Sequence, residues 1–202
     1  MLTYTLLTWV PRDRMESHLQ EAASKFLERS EIWRFEIEKD YAVNNVPDYP
    51  IQLPSNEAIL ENVYELILDG RPMSRVTDKH LDTSQFNGTG CPSFYAIYQD
   101  TSIRFYPTPD KRYAFRGWGV LKTKLTATGV EDWIFESHGR CISYGAIAHL
   151  TSVPGKEWSN MELSMYYRQK FAKEIDDAKS REYRRVRTRV QFQNFSGRRR
   201  RA

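Results

Sequence analysis

The sequence predicts an α+β fold, in which an antiparallel β meander is inserted between an N-terminal helix and a C-terminal helical hairpin. Apolar residues recur at three- and four-residue spacing near both ends of the chain and at two-residue spacing in the middle. Because one amphipathic helix cannot bury its apolar face alone, we expect the terminal helices to form one small bundle. The expected divisions are a first bundle helix within 1–30, the meander at 31–130, the hairpin at 131–182 and an extended C-terminal arm at 183–202.

The first helix is predicted to follow Pro11, with Asp13 and Glu16 three residues apart as its N-cap pair. Apolar residues at helical spacing then indicate an amphipathic helix with one buried face. They are Met15, Leu19, Ala22, Ala23, Phe26 and Leu27.

The middle of the chain has the two-residue period of half-buried strands, which begins where Trp33, Phe35 and Ile37 alternate with charged residues. The Asp69-Gly70 pair lies between two such runs, and this dipeptide is a strong signal for a tight hairpin. Further strands are expected at 94–98, 103–106 and 113–121, with a short edge strand at 51–53 and one helical turn at 77–82.

The C-terminal helical hairpin is expected to turn at Pro154-Gly155. Ser159 with Glu162 has the spacing of a capping box, which predicts the start of its second helix. Small residues around Gly145 in the first helix allow another helix to approach closely. The first helix is predicted to carry on one face Ile134, His138, Cys141, Ile142, Gly145 and His149.

The second helix of the hairpin has an unusually wide apolar surface, which suggests burial on more than one side. One face carries Met161, Met165, Ala172 and Ile175, and a neighbouring face carries Leu163, Tyr167, Phe171 and Ala178. A plain core hairpin explains such stripes better than a cofactor site does.

The positive charge of the chain is concentrated at its C-terminal end. The formal net charge is +4, but residues 181–202 contain nine arginines and one glutamate, so the preceding residues are net acidic at −4. Such asymmetry indicates an interaction arm. Because Val186, Thr188, Val190 and Phe192 alternate with polar residues, the arm is predicted to have strand-like structure. A disordered basic tail is the alternative.

Composition argues against several classes of protein. Two cysteines are too few for a disulfide framework and fit a reducing compartment. No run approaches the roughly 18 consecutive apolar residues that a membrane helix needs. The first ten residues lack the basic start and the cleavage site of a signal peptide, so none is expected.

The sequence predicts no catalytic, metal or cofactor site. His138 and Cys141 are three residues apart, but no neighbouring residues supply two further metal ligands. His18 and His80 are single histidines outside any ligand motif, and Gly88-Thr89-Gly90 lacks the lysine of a phosphate loop. A stacking platform for single-stranded nucleic acid is a minor alternative, because strand aromatics are mostly core residues. Its candidate members are Tyr95, Arg104, Tyr106 and Arg116.

From about residue 15 to the tail, the chain resembles a known family through the order of its segments. These segments are "EAASKFLERSEIWRFEIE", "IQLP", "ELILDGRPMSRVT", "GCPSFYAIYQDTSIRFYPTPD" and "RCISYGAIAHLTSVPGKEWSNMELSMYYRQKFAKEIDDAKSREYRR". The most specific parts are residues 144–148 and 154–159. In this order the segments are similar to the head-to-tail adaptor (connector) proteins of tailed bacteriophages, of the short-tailed type.

The resemblance implies a structural virion protein rather than an enzyme, with no cofactor. It implies a homo-oligomeric ring, usually of twelve copies, which lies beneath the portal protein, carries the tail nozzle protein and forms part of the channel for double-stranded DNA. The location would be the head-tail junction of the virion, with assembly in the host cytoplasm and no membrane. The alternative is a nucleic-acid-binding protein that uses the arginine-rich tail.

The resemblance also implies that the C-terminal arm docks onto the portal, because related adaptors use their arms in this way. The residues predicted to form this docking arm are Arg184, Arg185, Arg187, Arg189, Val190, Phe192, Phe195, Arg198, Arg199, Arg200 and Arg201.

Overall fold

In a computed structural model, the chain divides into two compact units, of which one contains the three described helices and the other is Trp33–Lys124. The structure describes residues 10–76 and 88–198, without the side chains of 38–41 and 186–198. The described helices are α1 (Arg12–Ser30), α2 (Asp132–Ser152) and α3 (Met161–Arg198). The described strands are β1 (Arg34–Ala42), β2 (Asp48–Pro50), β3 (Ala58–Leu68), β4 (Arg71–Pro72), β5 (Ser74–Arg75), β6 (Thr89–Gly90), β7 (Phe94–Tyr98), β8 (Ser102–Tyr106), β9 (Thr108–Pro109) and β10 (Tyr113–Thr123).

The three helices pack against one another as a small bundle, which confirms the predicted fold class. α1 buries the face that its spacing predicts, including Ala22, Phe26 and Leu27. α2 buries Ile134 and Ile142 on the predicted face. The wide apolar surface of α3 is only partly buried, since Phe171, Ile175 and Ala178 lie in the core whereas Met161 and Met165 are exposed.

The caps of two helices differ from those predicted by one or two residues. α1 begins at Arg12 with Pro11 as its N-cap, so Asp13 lies in the first turn and makes no capping bond. A carboxylate there still interacts favourably with the helix dipole. At the start of α3, Asn160 accepts a hydrogen bond from the backbone N–H of Leu163 through Oδ1 at 2.9 Å. Asparagine is at least as good an N-cap as serine, so the cap falls on Asn160 rather than Ser159.

The β unit contains two four-stranded sheets, with strand orders β1-β10-β3-β4 and β2-β8-β7-β5, and the short pair β6-β9. The long strands pair antiparallel, as predicted. The strand order is not that of a simple meander, because β10, late in the sequence, lies between β1 and β3. β5–β7 and β6–β9 are short parallel pairs. The 11-residue β10 pairs antiparallel with β1 on one side and with β3 on the other.

The predicted Asp69-Gly70 hairpin is present and joins β3 to β4. Both residues have positive φ, 45° and 82°, as the tight turn of type I′ requires. The short edge strand is β2, which precedes the predicted segment 51–53 because the ring of Tyr49 is anchored in the core. That ring packs 5.2 Å from Phe105 and 5.8 Å from Phe115, measured between ring centroids. The helical turn predicted at 77–82 lies outside the described residues.

The C-terminal segment is helical rather than extended, since the backbone of α3 continues to Arg198. Residues 156–196 contain neither proline nor glycine, and arginine, glutamine and glutamate favour helix. Once a helix has nucleated, each added residue gains a backbone hydrogen bond without a new nucleation cost. This continuation outweighs the weaker preference of alternating valine and threonine for a strand.

Candidate functional site

The candidate site is the distal part of α3, and its position is determined by how the proximal part of α3 is held. Ser164 is completely buried and donates a hydrogen bond from Oγ to the backbone oxygen of Ala148 in α2, at 2.7 Å. The backbone N–H of Asn160 also donates to the backbone oxygen of Thr151, at 2.8 Å. These two bonds fix the start of α3 against the end of α2.

Farther along α3, close packing replaces hydrogen bonding. A Cβ atom placed on Gly145 of α2 would lie 2.9 Å from Ala22 in α1 and 2.9 Å from the Phe171 ring in α3. All three helices therefore meet at Gly145, where only a residue without a side chain fits. This agrees with the close approach that the small residues of α2 predict.

Two exposed ion pairs flank the last packed turns of α3. Arg140 of α2 lies 3.7 Å from Glu174, and Lys179 lies 3.1 Å from Glu31, which follows the last residue of α1. Each such pair contributes about 0–1 kcal/mol, so they help to orient α3 rather than to hold it. Neither pair is apparent from the sequence, because the two residues of each pair are far apart in the chain.

After Ala178, the described residues of α3 leave the core. Residues 179–185 are exposed except for Glu182, which is half-buried, and the side chain of Tyr183 is 67% exposed. We call residues 179–198 the distal helix. At 1.5 Å per residue it extends about 30 Å. The distal helix is thus a continuous rod that starts from a packed bundle and carries no buried side chain among its described residues.

Arginine dominates the described surface of the distal helix. Arg181 donates from Nε to the backbone oxygen of Asp177 at 3.2 Å, and Arg185 lies 3.9 Å from Glu182. Arg184 is exposed on the same turns. Exposed contacts of this kind leave the guanidinium groups in water, where they can exchange partners at little cost. The segment can therefore bind carboxylates or phosphates on another molecule.

The structure describes only part of the predicted docking arm. Arg184 and Arg185 lie on the exposed start of the distal helix. The backbone is helical, without a described side chain, at Arg187, Arg189, Val190, Phe192, Phe195 and Arg198. Arg199, Arg200 and Arg201 lie outside the described residues.

The alternative stacking platform in the β unit does not form around Tyr95 and Arg104. Tyr95 is buried and donates from its hydroxyl to the backbone oxygen of Val63 at 3.0 Å. Arg104 forms two hydrogen bonds with Asp48 and stacks 3.8 Å from the centre of the Tyr98 ring. The bond to Asp48 is the main reason why the pKa of Arg104 is raised further above its usual value. Its charge is neutralised within the β unit, so it is poorly placed to bind a nucleic-acid backbone.

His138 and Cys141 behave as ordinary residues of the bundle. Burial raises the pKa of the Cys141 thiol to about 12, so it stays protonated at neutral pH. Burial, and then the nearby Arg181, lowers the pKa of His138, whose ring packs 5.0 Å from that of Phe26. Among the described residues, these two belong to no group with the spacing of metal ligands.

Comparison with known proteins identifies the family. A model of the SU10 adaptor protein family matches residues 5–193, which is nearly the whole chain. The chain belongs to this family. Among curated proteins, no sequence matches it.

As a SU10 adaptor, the chain is a structural phage protein of the head-tail junction rather than an enzyme. The matched residues include α1, α2, the β unit and α3 as far as residue 193. No helix in the described part of this adaptor has the length and apolar character needed to cross a bilayer.

Proposed function

We propose that this adaptor, like those of short-tailed phages, forms a closed ring beneath the portal protein, and that the distal helix is the docking arm that attaches each copy to the portal. The observation that carries the proposal is the course of α3, whose backbone continues for about 30 Å beyond Ala178, the last buried residue among its described side chains. The described side chains at the start of this segment, residues 179–185, bury little surface within the monomer, so packing there does little to offset the cost of ordering the segment. Contacts with a partner that covers the helix would offset the conformational entropy lost when the helix becomes ordered.

The chemistry of the distal helix favours a protein partner with acidic groups. Nine arginines fall within residues 181–202, and arginine forms bidentate pairs with carboxylates. Aromatic and arginine side chains are also the residues most enriched at the centres of protein interfaces. Phe192 and Phe195 of the predicted arm therefore suit a docking role as well as the arginines do.

The ring itself requires two different contact surfaces on each copy, because a closed head-to-tail ring is built from heterologous contacts. The helical bundle and the β unit supply two surfaces of different character. The family resemblance implies twelve copies, assembled in the host cytoplasm, with the tail nozzle protein on the far side of the ring from the portal.

We also propose that the ring forms part of the channel through which double-stranded DNA leaves the capsid. The chain before residue 181 is net acidic, at −4. Affinity for duplex DNA comes mainly from cations that neutralise phosphates, so an acidic lining lets DNA slide without binding. Tight binding of duplex DNA by a form that lacks the arm, at physiological salt, would argue against this channel.

Electron microscopy of the purified adaptor, alone and mixed with portal rings, tests the proposed assembly. We expect closed rings that stack on the portal with one copy of the arm per subunit at the junction. Purely monomeric particles in both samples would contradict the proposal.

A second candidate function is nucleic-acid binding through the distal helix, which the exposed Arg181 and Arg185 favour. Salt dependence separates the two functions, because the affinity of a phosphate-binding protein falls steeply as salt rises. Portal binding that persists at a salt concentration that abolishes DNA binding would support the docking arm.

A further inference from the structure

Three potential metal ligands, two from α1 and one from α2, come together where these helices pack. His18 and Glu21 lie three residues apart on α1, and His149 lies near the end of α2. Nδ1 of His149 is 3.3 Å from Oε1 of Glu21, and Nδ1 of His18 is 3.7 Å from Oε2 of Glu21. One ligand atom from each residue lies within 4.8 Å of the other two.

The two distances to Glu21, one from each of its carboxylate oxygens, are close to the spacing of ligands around one small ion. Bonds of about 2.0–2.1 Å in a tetrahedral site place neighbouring donor atoms about 3.3–3.5 Å apart. The pair formed by Glu21 and His149 already has this spacing, and the pair formed by Glu21 and His18 exceeds it by a few tenths of an ångström. Nδ1 of His18 is buried and has no hydrogen-bond partner among the described residues.

The helices hold the three side chains without help from a metal. Ala22 is adjacent to Glu21 and packs against Gly145, one helical turn before His149. Lys25 is the cation nearest in the sequence to Glu21, one turn further along α1. It is exposed, so its ammonium group can move into solvent when a metal binds.

We propose that His18, Glu21 and His149 bind one divalent transition-metal ion of the zinc type, which joins α1 to α2. Two imidazoles and one carboxylate are an established ligand set for zinc, whereas magnesium and calcium prefer oxygen ligands throughout. Three protein ligands leave the fourth position for water. The half-exposed edge of the bundle gives water access, because the side chain of Glu21 is 47% exposed.

Calorimetric titration of the untagged full chain with zinc chloride tests the site. We expect one zinc ion per chain and no binding of magnesium chloride. Each of His18→Gln, Glu21→Gln and His149→Gln should weaken zinc binding at least tenfold. His138→Gln and His80→Gln are the matched controls and should bind zinc as the wild type does. Wild-type protein that binds no zinc, or cluster variants with unchanged affinity, would overturn the proposal.

A second measurement avoids dependence on variants that fail to fold. The chain has four histidines, whose imidazole resonances can be followed by NMR in the wild-type protein during the zinc titration. We expect those of His18 and His149 to shift with a one-to-one endpoint while those of His80 and His138 stay in place. Shifts at His80 or His138 alone, or none at all, would contradict the site.

Discussion

Gly145 and Phe171 lie so close that a single methyl group does not fit between them. A Cβ atom on Gly145 of α2 would lie 2.9 Å from the edge of the Phe171 ring in α3. It would also lie 2.9 Å from the Cβ atom of Ala22 in α1. The position of α3, and with it the start of the distal helix, depends on this contact.

Gly145→Ala is therefore expected to destabilise the helical bundle. Phe171 and Ala22 are both buried, so neither can move aside without disturbing the core. Overpacking of this kind costs about 1–3 kcal/mol. Urea denaturation, followed by circular dichroism, measures the loss in the free energy of unfolding.

Gly139→Ala, six residues earlier in α2, is the matched control. The nearest side-chain atoms to a Cβ placed there belong to the exposed Phe135 ring, at 3.4 Å, which is an ordinary van der Waals distance. Because glycine is a poor helix former, this change should stabilise the bundle by roughly 0.5–1 kcal/mol. Equal effects of the two substitutions would show that Gly145 is not a packing contact.

The cap of α3 gives a prediction that separates two adjacent residues. Asn160→Ala removes the acceptor for the backbone N–H of Leu163 and should cost about 1 kcal/mol. Ser159→Ala should change the free energy of unfolding by less than about 0.5 kcal/mol, as surface substitutions usually do. If Ser159→Ala costs more than Asn160→Ala, the capping box predicted from the sequence is correct and the Asn160 cap is not.

His138 should make the stability of the bundle depend on pH. Burial first, and then Arg181, lowers its pKa in the folded protein, while Glu174 opposes that shift. The unfolded chain has the ordinary pKa of about 6.5. The unfolded state therefore binds the proton more readily, so the contribution of His138 is fully present above about pH 6.5 and is lost as the pH falls through its folded pKa.

Urea midpoints at pH 7.5 and 5.5 measure this dependence. We expect the fall in stability between the two values to be smaller in His138→Gln than in the wild type. The stability of His138→Gln should still fall somewhat between pH 7.5 and pH 5.5, because burial also lowers the pKa of His149. An identical fall in both proteins would assign the whole dependence to other groups.

Local patterns predict the elements of this fold well and their tertiary partners poorly. The spacing of Ala22, Phe26 and Leu27 predicts the buried face of α1, and Asp69-Gly70 predicts a hairpin that is present. The position of β10 between β1 and β3 depends on pairing between segments that are distant in the sequence. The local spacing of apolar residues does not predict which strands pair.

The candidate sites show the same limit. The concentration of arginines predicts an interaction segment, but alternation alone predicts a strand where the continuous helix is favoured. The cluster joins His18 and Glu21 of α1 to His149, which lies more than 120 positions later in the chain. Only the packing of α1 against α2 brings them together.

Co-sedimentation of the adaptor with portal rings tests the docking arm most directly. A form that lacks residues 184–202 keeps Phe171, Ile175 and Ala178, so it should fold with an unchanged thermal midpoint. A full-length variant with Arg184, Arg185, Arg187 and Arg189 all changed to Gln keeps helix-forming residues and serves as the control for charge. We expect the truncated form to stay in the supernatant and the glutamine variant to bind weakly. Truncated adaptor that sediments with the portal as the wild type does would contradict the account.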